Sequence, residues 1–199
     1  MTKDFYSAIK GRRSYYALGK EIDLSQKQLE QLVETAVFYT PSAFNSRSPR
    51  VVLLFEKHHD KLWEIVLETL RPLVPADKFA GTEKRIASFA AGYATILFFE
   101  DLAVIEKLQK QLPTYKEQFS PWSLQGNGML QFVVWTALEN EGLGASLQHY
   151  NPLIDDAVKK EWQLPQSWQL LAQMPFGQPL AEPEEKVFMP PTDRFKIFV

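Results

Sequence analysis

The sequence predicts an α+β or α/β domain in which a small sheet is covered by helices. Two observations carry this. Segments of helical periodicity recur along the chain and outnumber the short apolar runs of strand type, and the two kinds alternate. Nothing in the 199 residues reads as a linker, a repeat or a low-complexity tract, so one domain over residues 1–199 is expected.

The elements follow from local signals. Residues 4–10 read as a short helix with Phe5, Ala8 and Ile9 on one face, ended by Gly11. Ser25 and Gln28 form a capping box, and Leu29, Leu32, Val33, Ala36 and Val37 recur at helical spacing, so Gln26–Tyr39 is a helix stopped by Pro41. A loop of turn formers spans 41–49, and 50–55 is a buried-type strand. Residues 58–70 are helical, with Leu62, Trp63, Val66 and Leu70 inward. Pro72 and Pro75 mark a loop, 83–92 are helical, 94–99 form a second strand, and 102–112 a further helix. Residues 113–121 are irregular or short-helical; 122–141 form the longest helix, apolar almost all round, as expected of a central or interfacial helix. Pro152 fits the first turn of a helix over 153–162. A third strand covers 168–174, an acidic extended segment 181–189, and residues 194–199 are a final strand or a packing arm.

Composition excludes several classes. Net charge is −2 with acids and bases mixed, which does not make the basic face that nucleic acid demands. There are 0 cysteines, which excludes disulfides, thiolate metal sites and thiol catalysis. No run approaches the ~18 apolar residues of a membrane span, and the first residues show no signal-type apolar stretch; a cytoplasmic protein is expected. Aromatics are plentiful, with 14 Phe, 7 Tyr and 5 Trp, enough to fill a core and line a pocket for a flat ligand. Phe44, Phe79, Phe89, Tyr93 and Trp122 are candidates for such walls.

Four stretches are candidates for chemistry. Arg12-Arg13-Ser14 offers two guanidinium forks and a hydroxyl, a donor set for phosphate, or else a solvated loop. Ser42, Asn45, Ser46 and Arg47, between Pro41 and Pro49, could donate to a polar ligand edge or form an ordinary connection. Gly142-Leu143-Gly144 lacks the third glycine of a dinucleotide loop, since Leu147 holds that place, and it follows a helix instead of a strand. Its glycines fit a helix cap or a close backbone approach, and Gln148 and His149 follow. His58-His59-Asp60 reads as a solvated helix start, because neighbouring side chains on a helix diverge by about 100°.

In combination, Arg12-Arg13-Ser14, Pro41-Ser42-Ala43-Phe44-Asn45-Ser46, Gly142-Leu143-Gly144 and Phe176-Gly177-Gln178-Pro179 resemble, in order and spacing, the motifs of the nitroreductase family of flavin enzymes. The resemblance covers nearly the whole chain. It implies an α+β three-layer fold with a small mixed sheet and a long central helix at a dimer interface. It implies a homodimer binding FMN at the subunit interface, with Arg12, Arg13 and Ser14 on the phosphate and ribityl chain. Gln148 and His149 would sit by the flavin ring, and Pro41, Ser42 and Asn45, with Ser46 and Arg47, would cover it from the other subunit. Three positions depart from the family pattern: Arg47 replaces an amide, Lys186 keeps one base of a usual Lys-x-Arg clamp, and Tyr16 stands where a basic residue is usual near the pyrimidine. The activity implied is ping-pong reduction of nitroaromatic or quinone-like acceptors by NAD(P)H through flavin N5, with no catalytic acid or base and no metal. The alternatives are a flavin-storage or regulatory protein with little turnover, and a cofactor-free interaction protein.

Overall fold

The apolar run at 94–99 becomes a central strand of the sheet. In the computed structural model, which describes residues 4–199, strand β3 (Ala94–Asp101) is buried along seven of its eight positions. Its side chains alternate between the two faces, as the pleat requires. Ala94, Ile96 and Phe98 enter one core, and Leu97 and Phe99 enter another on the opposite face. The fold is therefore α+β in three layers, a sheet between two sets of helices.

In chain order the elements are α1 (Phe5–Gly11), β1 (Leu18–Gly19), α2 (Gln26–Tyr39), β2 (Pro49–Phe55), α3 (Glu56–Leu70), α4 (Phe79–Ala90), β3, α5 (Leu102–Gln111), α6 (Lys116–Asn140), β4 (Gly144–Ala145), α7 (Asp155–Glu161) and β5 (Trp168–Pro179). The sheet order is β1-β5-β3-β2, with β4 on β5. Among the described residues, all four ladders are antiparallel, and the one parallel pairing is an isolated bridge, Ser14 to Ala145. The mixed character expected of the sheet is thus confined to that bridge.

A bulge sets the faces of β5. Phe98 lies opposite Ala172, but Phe99 lies opposite Leu170. The extra residue turns Leu170 to the second face, where it joins Leu97 and Phe99, while Ala172, Met174 and Phe176 keep to the first. Helices α2 and α6 cover the first face. Leu130, Val134 and Leu138 of α6 recur every fourth residue and are essentially fully buried there. Each such side chain contributes about 1.5–3 kcal/mol on burial. Helices α3, α4 and α7 cover the second face.

Side-chain caps set three helix starts among the described residues. Asp4 caps α1 by accepting from the amides of Tyr6 and Ser7, the Ser25–Gln28 capping box opens α2, and Asp101 caps α5 by accepting from the Ala103 amide. The differences from the sequence expectation have physical reasons. Helix α6 begins at Lys116, not residue 122, and passes through Pro121. The proline removes one bond near an exposed helix start, where water can take the freed carbonyl. Helix α4 begins at Phe79 despite Gly81, because the Phe79 ring is buried beneath Arg71. The peptide Asn151–Pro152 is cis, and the helix after it starts at Asp155 instead of beside Pro152. Strand β5 runs on to Pro179, and the chain beyond it is coil with one 3-10 turn, not a final strand.

His59 corrects a second expectation. It is not solvated: its ring is fully buried, with Nδ1 2.8 Å from the Thr95 hydroxyl and Nε2 3.1 Å from the Ala90 carbonyl. Burial holds its pKa below the ordinary histidine value. His58 points elsewhere and accepts from the Trp162 indole at 3.2 Å. No helix among the described residues is long and apolar enough to cross a membrane.

Candidate functional site

Residues far apart in sequence meet along the free edge of β5. Helix α6 ends at Asn140; Gly142, just past the Glu141 cap, holds the left-handed φ of +80°, and Leu143 donates back to the Leu138 carbonyl at 2.9 Å. The chain then lies along β5: Gly144 and Ala145 pair with Gly177 and Phe176, and Gln148 exchanges backbone bonds with Gln173 at 2.7 and 2.9 Å. The fully buried Gln173 side chain secures the next turn. Its Oε1 accepts from the Tyr150 amide at 2.8 Å, and its Nε2 donates to Asn151 at 3.3 Å. On the outer side, Tyr15 donates to the Ala145 carbonyl at 3.0 Å. The Arg-Arg-Ser stretch is thereby held against the end of the long helix.

Arg12 closes α1 and lays its guanidinium over the Trp135 ring of α6, 4.4 Å from the centroid. Burial, and then the adjacent Arg13, lower its pKa, while Glu139 acts in the opposite direction. Arg13 donates to the Glu184 carbonyl of the C-terminal segment. Arg12, Arg13, Ser14 and Tyr16 line a cavity of about 460 Å³, closed on its far side by residues 181–184. Lys186 is not among its walls; its ammonium lies 5.2 Å from the Phe188 ring.

Tyr16 and Ala17 also line a second cavity, of about 580 Å³, together with Gln148, Phe89 and one face of α4. The two cavities therefore share a wall. Gln148 donates from Nε2 to the Ser146 hydroxyl at 3.0 Å. His149 next to it is exposed, and its ring makes no hydrogen bond among the described residues. Burial pushes the Tyr150 phenol up, and the charge of Arg85 opposes the shift. Of the aromatic wall candidates, Phe89 lines this cavity; Phe44 and Trp122 instead cluster with Tyr115 and Phe119, and Tyr93 packs on Phe55 and Phe176. Sequence reasoning missed the α4 face. Its signal was present as Gly81, Lys84, Arg85 and Ser88 at positions i, i+3, i+4 and i+7 of one helix.

The Pro41 loop lies apart from both. Phe44, Asn45 and Arg47 hold φ near +50°, a costly backbone for non-glycine residues. The Ser42 hydroxyl accepts from the Arg47 amide at 3.0 Å, and Arg47 Nε donates to Asn45 Oδ1 at 3.2 Å. Pro41, Ser42, Asn45 and Arg47 line a third cavity, of about 620 Å³, that shares no residue with the other two. Ser46 turns inward to Ser48, their hydroxyls 3.0 Å apart.

Glu100 lies buried next to this loop. Its Oε2 accepts from Asn127 at 3.2 Å, and its Oε1 has no partner. Burial pushes its carboxyl above the ordinary value, against the opposing pull of Ser48, Asn127 and Arg50. The folded chain thus holds this proton more tightly than the unfolded chain. The group's contribution to stability is greatest below the ordinary carboxyl range and declines as pH rises through it towards the raised folded value. Glu100→Gln is expected to lose less stability than the parent between about pH 4.5 and about pH 8. Urea unfolding at the two pH values checks this; equal losses would contradict it.

The chain belongs to the nitroreductase family, whose model matches residues 9–178. It is 33% identical over 190 residues to the nitroreductase FRM2 of Saccharomyces cerevisiae, covering 94% of each chain. Nitroreductase CinD from Lactococcus lactis, solved with chloramphenicol, 4-nitrophenol and nicotinic acid, superimposes with TM-scores of 0.90, 0.89 and 0.86 at 43%, 44% and 41% identity. Each superposition covers 98% of this chain and 100% of the other. A more distant chain from Exiguobacterium sibiricum, solved in complex with FMN, shares the fold at 16% identity, with a TM-score of 0.71 over 100% of both chains.

Proposed function

We propose that this chain is an FMN-dependent NAD(P)H oxidoreductase that reduces nitroaromatic or quinone-like acceptors. In this reading it is a single domain over 1–199, residues 1–3 lying outside the described part, and it acts in the cytoplasm as a homodimer. One observation carries the reading: the cavity lined by Arg12, Arg13 and Ser14 and the cavity lined by Gln148 share Tyr16 and Ala17 as a wall. An anion-binding cradle beside a ring-sized pocket suits a flat cofactor with a phosphate tail.

The donor set fits that tail. Two neighbouring guanidiniums, one of them partly desolvated, repel each other more than Glu139 offsets, so an added anion relieves the repulsion, and Ser14 adds a hydroxyl donor. Arg12, Arg13 and Ser14 would bind the phosphate and ribityl chain, with Lys186 as a further cation. Gln148 and His149 would orient the ring, and Tyr16 would close the pocket beside it. When bound, FMN would supply two-electron transfer between NAD(P)H and the acceptor, with ping-pong kinetics expected. The protein then needs no proton-transferring side chain; its residues bind, orient and exclude water.

The separate cavity of the Pro41 loop supports a site shared between two chains. Pro41, Ser42, Asn45, Ser46 and Arg47 would come from the partner. Exposed Leu124, Met129, Phe132 and Val133 on α6, and Phe188, Phe195 and Ile197 near the C-terminus, supply apolar surface for the association. The ligands of CinD support the substrate class, since chloramphenicol and 4-nitrophenol are nitroaromatics and nicotinic acid shares the nicotinamide ring.

The test is steady-state oxidation of NADH and NADPH by FMN-loaded protein with 4-nitrophenol as acceptor. Saturable turnover with parallel double-reciprocal lines is expected. Flavin reduction too slow to sustain turnover with any acceptor would leave a flavin-storage protein.

A further inference from the structure

The second cavity, which the proposed flavin ring enters beside Gln148, has a charged side on α4 to which the proposed function assigns no role. Lys84, Arg85 and Ser88 share one face of α4 and line it opposite Tyr16 and Gln148. Among the described residues, neither Lys84 nor Arg85 makes an ion pair or a side-chain hydrogen bond. The acid nearest in sequence, Glu83, turns away to Arg71 at 3.9 Å. No acidic side chain lines the cavity. Two uncompensated cations and a serine thus border a pocket walled by Phe89 and Tyr16, next to the residue assigned to the flavin ring.

We propose that this wall selects the acceptor: the preferred substrates are aromatic anions, carrying a carboxylate or phenolate that Lys84 and Arg85 receive while the ring lies towards Gln148; the Ser88 hydroxyl donates to the Arg85 carbonyl at 2.7 Å and takes no part. The proposal rests on the reading of Gln148 as a neighbour of the flavin ring. It adds to that reading a charge preference that the cofactor chemistry does not require. Arg85 can pair with a carboxylate through two parallel hydrogen bonds, whereas Lys84 acts as a point charge. Both cations are exposed, so their effect is moderate and salt-dependent.

The experiment compares 4-nitrobenzoate with 4-nitrobenzamide, which differ in charge and little in shape. With FMN-loaded protein at low salt, kcat/KM is expected to favour the anion by about five- to thirtyfold, the effect of two exposed charges. The ratio falls towards one in Lys84→Ala/Arg85→Ala and at high salt. A ratio near one in the parent, or one that the double substitution leaves unchanged, overturns the proposal while turnover of the neutral amide upholds the oxidoreductase reading. A substitution that shifts the NADPH/NADH preference but not the acceptor ratio also overturns it, and assigns the cations to the coenzyme's phosphate. Absence of turnover with both acceptors removes the oxidoreductase reading. Binding of benzoate against benzamide, followed by protein NMR, then decides the charge preference: tighter binding of benzoate, lost in the double variant, supports it, and equal binding overturns it.

Discussion

Arg12→Ala is expected to weaken FMN binding by about 1.5–3 kcal/mol, roughly 10- to 150-fold in Kd. The arginine is held by its neighbours in the chain. Its backbone closes α1 and its guanidinium is stacked on Trp135, so little side-chain entropy remains to be lost on binding. Its charge is partly desolvated, and the repulsion from Arg13 outweighs the attraction of Glu139, which favours a further anion beside it. Arg12→Lys keeps the charge and loses the planar fork, so an intermediate loss is expected. Titration of apoprotein with FMN, followed by fluorescence quenching, measures both. Unchanged affinity in Arg12→Ala would remove this residue from the phosphate site.

Gly177→Ala is expected to destabilise the fold by about 3 kcal/mol or more, at the upper end of overpacking costs. A Cβ at this position would lie 2.3 Å from the Gly19 carbonyl oxygen and 2.9 Å from the Tyr93 amide nitrogen. Both are backbone atoms of paired segments: Gly19 is opposite Gln178, and Tyr93 donates to Phe176 at 2.8 Å. Neither can rotate away, so β1 must separate from β5. For a domain of this size the cost corresponds to a fall in Tm of about 6–12 °C. A second effect follows, because Tyr16 and Ala17 lead directly into β1 and form the wall common to both cavities. Thermal unfolding checks the prediction; a change below about 2 °C would show that the strands part easily.

Much of the fold was legible in short-range signals. Gln26–Tyr39 was readable to the residue because a capping box opens it and a proline follows it. The apolar strands were visible because central strands are buried on both faces. Signals failed where tertiary packing decided. Pro121 hid the first turns of α6, Gly81 hid the start of α4, and no periodicity could show that His59 faces Thr95.

The candidate site was legible as separate motifs, but its assembly was not. The pairing of residues 144–148 with the edge of β5 joins segments separated by a helix, and the contact of Arg12 with Trp135 joins positions more than a hundred residues apart. Phe176-Gly177-Gln178-Pro179 stood out as a family motif, and the structure supplies the reason: two backbones cross where a side chain has no room. Lys84 and Arg85 were passed over because a charged helix face ordinarily means solvent, and only the cavity beside them gives them another use.

The central claim is a flavin site shared by two chains. Light scattering on the FMN-loaded protein, recorded with its absorption spectrum, tests it most directly. The account predicts a dimer that carries one FMN per chain and loses FMN when dilution yields monomer. A monomer that still binds FMN tightly would contradict it.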